Sequence, residues 1–323
     1  MKLSFLIFSV LVITSLCGFI HKENRVLSQK TLQKIKSSAI WNPYELHENP
    51  LNKFSRTQIK AMLGVELMYT KETKQKLLTI VHNDDHSETF DVPLSFDSRQ
   101  HWPDCIGQIR KQEHCGSCWA FSASTTLADR FCIASEGKIK TVFSPQYMVS
   151  CNSSNKGCNG GLLDKAWEFL EETGITKETC NPYVSGDGKM LPSCMKECVK
   201  SSKENFELYK VKKQSSKPLT CALQMQRELL ENGPVQTGFE VYEDFLHYKN
   251  GIYKYTDGII MGGHAVKIVG WGQENGINYW IVANSWGPEW GENGLMRICR
   301  EEYPSLEFGT CNIKMQVVLP IKN

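Results

Sequence analysis

The stretch EHCGSCWAFSA, residues 113–123, places two cysteines three apart, ahead of a tryptophan and a run of small and apolar residues. Cysteines so spaced can share a metal, exchange electrons as a pair, or divide the work between a staple and a nucleophile. Zinc asks for a second ligand pair at similar spacing. Cys194 and Cys198 come with no nearby His pair, which argues against it. A redox pair belongs at a strand–helix junction, but the preceding QIRKQEH is polar and supplies no buried strand. Divided roles fit the local pattern better. Cys118 opens a helical stretch, where unpaired backbone N–H groups and the helix dipole favour negative charge, so its thiol ionises more readily. Cys115 precedes that helix and is free to pair elsewhere.

A nucleophile needs a base and a group that orients the base. His264, in MGGHAVKIVGWG, stands at the entry of an expected strand. Asn284, in ANSWG, stands at the exit of the next. An Asn275–Gly276 hairpin turn makes those strands neighbours, so the two side chains can meet. The Asn oxygen would hold one ring N–H and leave the other ring nitrogen facing the thiol. Gln112 can set an amide N–H beside the Cys118 backbone N–H. Together they would form an oxyanion hole, typically worth about 2.7–4 kcal/mol per donor.

The elements that must position these groups are legible in outline. Residues 118–132 are apolar on two faces, which predicts a buried helix. Ser144–Pro145 reads as an N-cap and first-turn pair for a short helix. Leu163, Ala166, Trp167 and Leu170 mark an amphipathic helix closed by Gly174, and Leu223–Leu230 marks another. After Pro234 the period falls to two: Val235, Thr237, Phe239 and Val241 alternate, and strands are expected over 265–272, 278–286 and 294–298. The body therefore reads as a helical front half and a β-rich back half.

Of 323 residues, 41% are hydrophobic and 22% charged, with a net charge of +2. That balance gives no reason to expect nucleic acid or an anionic membrane as partner. An apolar run from Leu3 to Leu16 after Lys2, followed by small residues, reads as a cleaved signal peptide over 1–18 and not as a stable membrane anchor. The protein should then enter the secretory pathway and an oxidising lumen. Thirteen cysteines are present, and none lies between Cys17 and Cys105. The Lys/Glu-rich stretch 19–91, with Leu27, Leu32 and Ile35 at helical spacing, thus contrasts with a cysteine-dense body. It reads as a removable leader, with the polar HNDDHSET at 82–89 as the segment to cut.

CGSCW, GCNGG at 157–161, GGHAV, and NSWG with WGENG follow in the order of the papain-type cysteine peptidases, which this chain resembles over residues 94–319. WPDC at 102–105, DRFCI at 129–133 and VYEDFLHYKNGIY at 241–253 bring it nearest to the cathepsin B branch. The resemblance implies an α+β fold of two lobes, helical over about 105–205 and β-barrel-like over about 206–310, within a peptidase domain over 92–323. Cys118 is then the nucleophile, His264 the base and acid, Asn284 the orienter and Gln112 the oxyanion donor. Gly160 and Gly161 would pair with substrate backbone, Trp286 would shield the His–Asn bond, and Trp290 would wall the leaving-group side. Gln316 falls where cathepsin B has an acidic pocket floor, so apolar or aromatic residues are expected two positions before the cut.

Bridges Cys105–Cys132, Cys115–Cys158, Cys151–Cys194 and Cys180–Cys198 are implied, leaving Cys221, Cys299 and Cys311 with at least one free. The stretch NPYVSGDGKMLPS, 181–193, is short and lacks the His pair that lets cathepsin B trim dipeptides. It implies an endopeptidase. No metal or cofactor is called for. Expected partners are peptide and protein substrates, the leader as inhibitor, and cystatin-type proteins, with the enzyme a monomer. An acidic digestive compartment, lysosomal or vacuolar, or the extracellular space is the expected location. Asn152-Ser153-Ser154 is a glycosylation sequon. A module that had lost catalysis would share the shape, but all four machinery residues are present.

Overall fold

The computed structural model describes residues 27–65, 91–216, 218–219, 222–300 and 313–314. The expected signal peptide, the HNDDHSET stretch, Cys221, Cys311 and Gln316 lie outside these residues.

In chain order the elements begin in the leader with α1 (Gln29–Ser38), β1 (Trp41–Pro43) and α2 (Arg56–Met62). Ser28 caps α1 by accepting from Thr31 N–H, and Leu32 and Ile35 bury its apolar face. Ser55 and Gln58 form a reciprocal capping box on α2. The body follows with β2 (Phe96–Asp97), α3 (Ser98–His101), α4 (Cys118–Ala134), α5 (Pro145–Cys151) and α6 (Leu163–Glu172). Then come β3 (Pro218–Leu219), α7 (Ala222–Asn232), β4 (Val235–Tyr242), β5 (Tyr248–Tyr253), β6 (Ile260–Glu274), β7 (Ile277–Ala283), β8 (Leu295–Cys299) and β9 (Ile313–Lys314).

Helix α4 is the axle between the two halves. It is buried almost all round, as its sequence predicts. Phe131, Leu127 and Trp119 pack with Phe143, Trp167 and Leu170 in a helical-lobe core. Its other side is tied to the β-rich half by buried polar groups. Arg130 donates to the carbonyls of Gly233 (3.1 Å) and Pro234 (2.6 Å) and pairs with Glu228 at 2.7 Å. Asp129 pairs with Lys267 of β6, both almost fully buried. Gln236 of β4 donates to Trp119 O at 3.0 Å and accepts from Trp167 Nε1 at 2.6 Å. Groups this buried are stable only when paired, so these contacts hold the lobes in one register.

The main sheet runs β1-β5-β8-β7-β6-β2, and β4 also pairs with β6. It has seven strands among the described residues and is open. The barrel-like lobe expected from the sequence is therefore corrected to an open sheet, because β1 at one end and β2 and β4 at the other do not pair. The β6–β7 hairpin turns at Asn275 and Gly276, with φ of 53° and 79°, the double left-handed pair that such a turn requires. Register Lys267↔Ala283 brings His264, within β6, near Asn284, which directly follows β7.

The leader does not build a core of its own. Leu27, Ile35, Trp41, Leu51, Ile59 and Met62 join the β-lobe core of Phe245, Tyr248, Trp286 and Trp290. Strand β1 adds to β5 in antiparallel register, Trp41 opposite Gly251. Trp41 Nε1 donates to Lys254 O at 2.8 Å.

Candidate active site

Ser117 precedes α4 without making a side-chain cap bond, so Cys118 occupies the first helical position with free backbone N–H groups around it. The helix N-terminus lowers a thiol's pKa, but here the sulfur is fully buried. Burial pushes the Cys118 thiol up to about 11, against the backbone N–H groups of Ala265, Gly64 and Trp119 that pull it down. Gly64 N–H lies 3.3 Å from Sγ. The two cysteines of the opening motif have different fates: Cys115 is bridged to Cys158, and Cys118 is free.

His264 lies on β6 opposite Phe239 of β4. Its Nε2 donates to Asn284 Oδ1 at 2.7 Å. That bond leaves Nδ1 as the bare, proton-accepting nitrogen, and Nδ1 has no hydrogen-bond partner among the described residues. The next residue, Ala265, sends its N–H to the Cys118 sulfur, so the strand segment that carries His264 borders the thiol. Burial pushes His264 down to about 4, with the Asn284 bond opposing. The Trp286 ring covers the imidazole, centroids 4.9 Å apart. Trp290 lies behind it, fully buried against Trp286, Phe245 and Tyr248. With the leader in place Trp290 supports Trp286 from the core, and the leader's Tyr44 O–H reaches Glu289 O beside it at 3.2 Å.

Gln112 is buried, and its Nε2 donates to Met62 O at 2.9 Å and to Cys115 O at 2.8 Å. Two residues that sequence reasoning passed over fix it. Ser285 Oγ donates to Gln112 Oε1 at 2.6 Å, and Ser285 N–H donates to Asn284 Oδ1 at 2.7 Å. One residue thus orients both amides. It sits inside the NSWG motif, so the signal was present. Tyr183 O–H donates to Gln112 O at 2.8 Å, and its oxygen lies 3.1 Å from Ser117 Oγ. No local pattern announces that contact, which spans 71 positions.

Gly160 and Gly161 form a ledge beside the sulfur. Asn155 braces it by donating to Leu162 O (3.2 Å) and accepting from Leu162 N–H (2.8 Å). Gly161 N–H donates to Gly64 O at 2.8 Å, and Val65 N–H donates to Gly263 O at 3.1 Å. The leader therefore threads the cleft, with Met62 on Gln112, Gly64 on Cys118 and Val65 between the two walls. Only glycine passes at Gly64: a Cβ there would lie 1.8 Å from Gly116 O.

Four disulfides, Cys105–Cys132, Cys115–Cys158, Cys151–Cys194 and Cys180–Cys198, staple the helical lobe. Cys299 is buried and unbridged. Asn152 of the sequon is buried, and its amide donates to Lys165 O at 3.1 Å, so the folded chain offers no free amide to a glycan. Among the described residues no helix is long and apolar enough to cross a membrane.

A family model described as "Papain family cysteine protease" matches residues 92–321. Cathepsin B-like CP2 of Giardia intestinalis is 43% identical over 212 residues, 65% of this chain and 70% of that protein. Cathepsin B-like cysteine proteinase 4 of Caenorhabditis elegans is 39% identical over 259 residues, 68% of this chain and 74% of that protein. Among solved structures, proCathepsin B S9 from Trypanosoma congolense superposes with a TM-score of 0.76 at 27% identity, covering 92% of this chain and all of that one.

Proposed function

Since the chain belongs to the papain family of cysteine proteases, with cathepsin B-like relatives, we propose that it is an endopeptidase whose chemistry is carried by Cys118, His264, Asn284 and Gln112. The observation that carries this reading is the His264–Asn284 bond, which leaves Nδ1 bare on the residue beside the one whose N–H meets the sulfur. With the leader gone, the thiol passes its proton to Nδ1 and the thiolate attacks the scissile carbonyl carbon. Gln112 Nε2 and the Cys118 N–H take the developing oxyanion. The imidazolium returns its proton to the leaving amine, and the C–N bond breaks. Water then enters with His264 as base and releases the acid from the thioester.

Gly160 and Gly161 would pair with the substrate backbone, and Trp286 would keep water from the His–Asn bond. Gln316 would floor the pocket for an apolar or aromatic residue two positions before the cut. Endopeptidase action is supported by the stretch 181–193, which carries no His and folds back on the nucleophile loop through Tyr183. The protein is made as a precursor: signal peptide over 1–18, propeptide over 19–91, peptidase domain over 92–323. The leader blocks the cleft and holds Cys118 and His264 neutral, both far from the charged pair that hydrolysis needs. Acid releases it in a lysosomal, vacuolar or extracellular digestive setting, where the enzyme acts as a monomer open to cystatin-type inhibitors.

The test is labelling of acid-matured protein with an epoxide thiol trap, beside Cys118→Ala. Labelling at Cys118 with loss of peptide hydrolysis is expected. An unlabelled Cys118, or hydrolysis that survives Cys118→Ala, sinks the reading. A strong preference for substrates with a free C-terminus over their amides overturns the endopeptidase assignment alone.

A further inference from the structure

The leader marks a second position in the cleft, away from the sulfur. From Val65 back to Met62 the chain runs from the Gly161 ledge, past Cys118, to Gln112. Going further back along the leader moves to the side where a cleaved peptide's amine departs. Phe54 stands at that end. Further back still, the leader's Tyr44 O–H donates to Glu289 O at 3.2 Å, and Glu289, three residues after the Trp286 that covers His264, pairs with Lys111, the neighbour of Gln112.

There the Phe54 ring meets His114 edge to face, with centroids 4.8 Å apart and planes at 88°. A turn, Phe54 N–H to Leu51 O at 3.0 Å, sets the Phe54 backbone, and the ring is half-buried against the aromatic core. His114 is built in. Its N–H donates to Gly186 O at 2.8 Å. Glu113, with φ of 55°, turns the chain between it and Gln112. Its Nδ1 is buried with no partner among the described residues, so the exposed part of the ring is what a passing side chain meets.

We infer that His114 is a specificity-determining residue that selects an aromatic side chain on the leaving-group side of the cut, and that Phe54 is its tethered stand-in in the precursor. This rests on the peptidase reading above. An edge-to-face pair is worth a few-fold in affinity beyond burial alone. Acid-matured enzyme is given internally quenched peptides identical up to the cut, carrying Phe or Ala at each of the first three positions after it.

At one position Phe should raise kcat/KM roughly threefold to tenfold over Ala, mainly through KM. His114→Ala, normalised to its own turnover of the Ala peptide, should bring the ratio near one. His114→Phe, which keeps a ring, should preserve it. A wild-type ratio near one at all three positions overturns the inference without any variant, and so does a preference that survives His114→Ala. A coumarylamide substrate, with no residue after the cut, separates the two failures. If it is not hydrolysed, the peptidase reading falls. If it is hydrolysed and the ratios are flat, only the role of His114 falls.

Discussion

The two lobes hold their proposed catalytic groups by different means. The helical lobe, which presents Cys118, is stapled by four disulfides, all between Cys105 and Cys198. The β-rich lobe, which presents His264 and Asn284, has no bridge among its described residues and keeps Cys299 reduced. It relies on an aromatic core that it shares with the leader through Trp41, Leu51 and Ile59. The nucleophile's loop is thus anchored covalently, whereas the lobe that carries His264 shares its core with the leader, so removing the leader would uncover part of that core. Latency and catalysis would then differ more in the packing of the β-rich half than in that of the helical half.

The sharpest way to break this picture is to remove a member of the pair. His264→Ala should lower kcat by about 10⁴-fold or more in mature enzyme, yet leave leader docking intact, since among the described residues the leader bonds to the Gly263 backbone and not to the His264 side chain. A precursor that opens when His264 is lost would show that the two states are not separable in this way. Next in size is Trp41→Ala. Emptying a buried indole site costs about 3–5 kcal/mol, all of it in the precursor. Faster maturation with unchanged mature Tm is expected, read by scanning calorimetry of both forms. Replacing Cys115 and Cys158 with Ser should do the reverse, lowering mature stability by about 2–4 kcal/mol because the loop carrying the nucleophile loses its anchor.

Acid separates the lobes as well. His247, in the turn Asp244–His247 that receives the leader, is fully buried, with neither ring nitrogen hydrogen-bonded among the described residues. Burial pushes it down to about 4, and a coulombic contribution from Glu243 opposes this. Its carbonyl accepts from Tyr44 N–H at 2.8 Å. A histidine with a depressed pKa stabilises the folded form fully above its unfolded value near 6.5, and that stability is lost as pH falls towards 4. His264 has the same sign. Precursor with Cys118→Ser should therefore lose Tm across pH 6.5 to 4, and His247→Leu should flatten part of the slope. An unchanged slope removes His247 from the acid response.

The proposed catalytic groups could be singled out because their chemistry is local. Cys118 lies at a helix tip and Asn284 at a strand exit as expected, His264 lies inside β6 and not at its entry because that strand starts earlier, at Ile260, and the Asn275–Gly276 turn fixes which strands meet. The buried α4 could be read from periodicity, and the β6–β7 hairpin from periodicity together with that turn. What could not be read is long-range. The sheet's openness depends on which edges stay unpaired. The placement of Trp290 behind Trp286 depends on Phe245 and Tyr248, which are more than 40 positions away. The grip of Tyr183 on Gln112 links two loops with no periodic signal, and the leader's apolar residues do not say whose core they complete.

The smallest expected effect concerns Glu113, the residue after Gln112. The structure keeps the turn by holding Glu113 at φ 55°, a conformation that costs a residue with a Cβ roughly 1–2 kcal/mol. Glu113→Gly removes that strain but frees the unfolded chain, which takes back about 0.5–1 kcal/mol. The net gain should be about 0.5–1 kcal/mol, felt first in the helical lobe because Glu113 itself lies between bonds to Gly186 and Cys115, whereas the route to the β-rich lobe runs one residue away, through Gln112 and Ser285. Hydrogen exchange should then slow around 113–118 and stay constant along β6 and β7. Slowing along the sheet would mean that strain at the oxyanion loop reaches the base, and that the division between a fixed nucleophile lobe and a yielding base lobe is drawn in the wrong place.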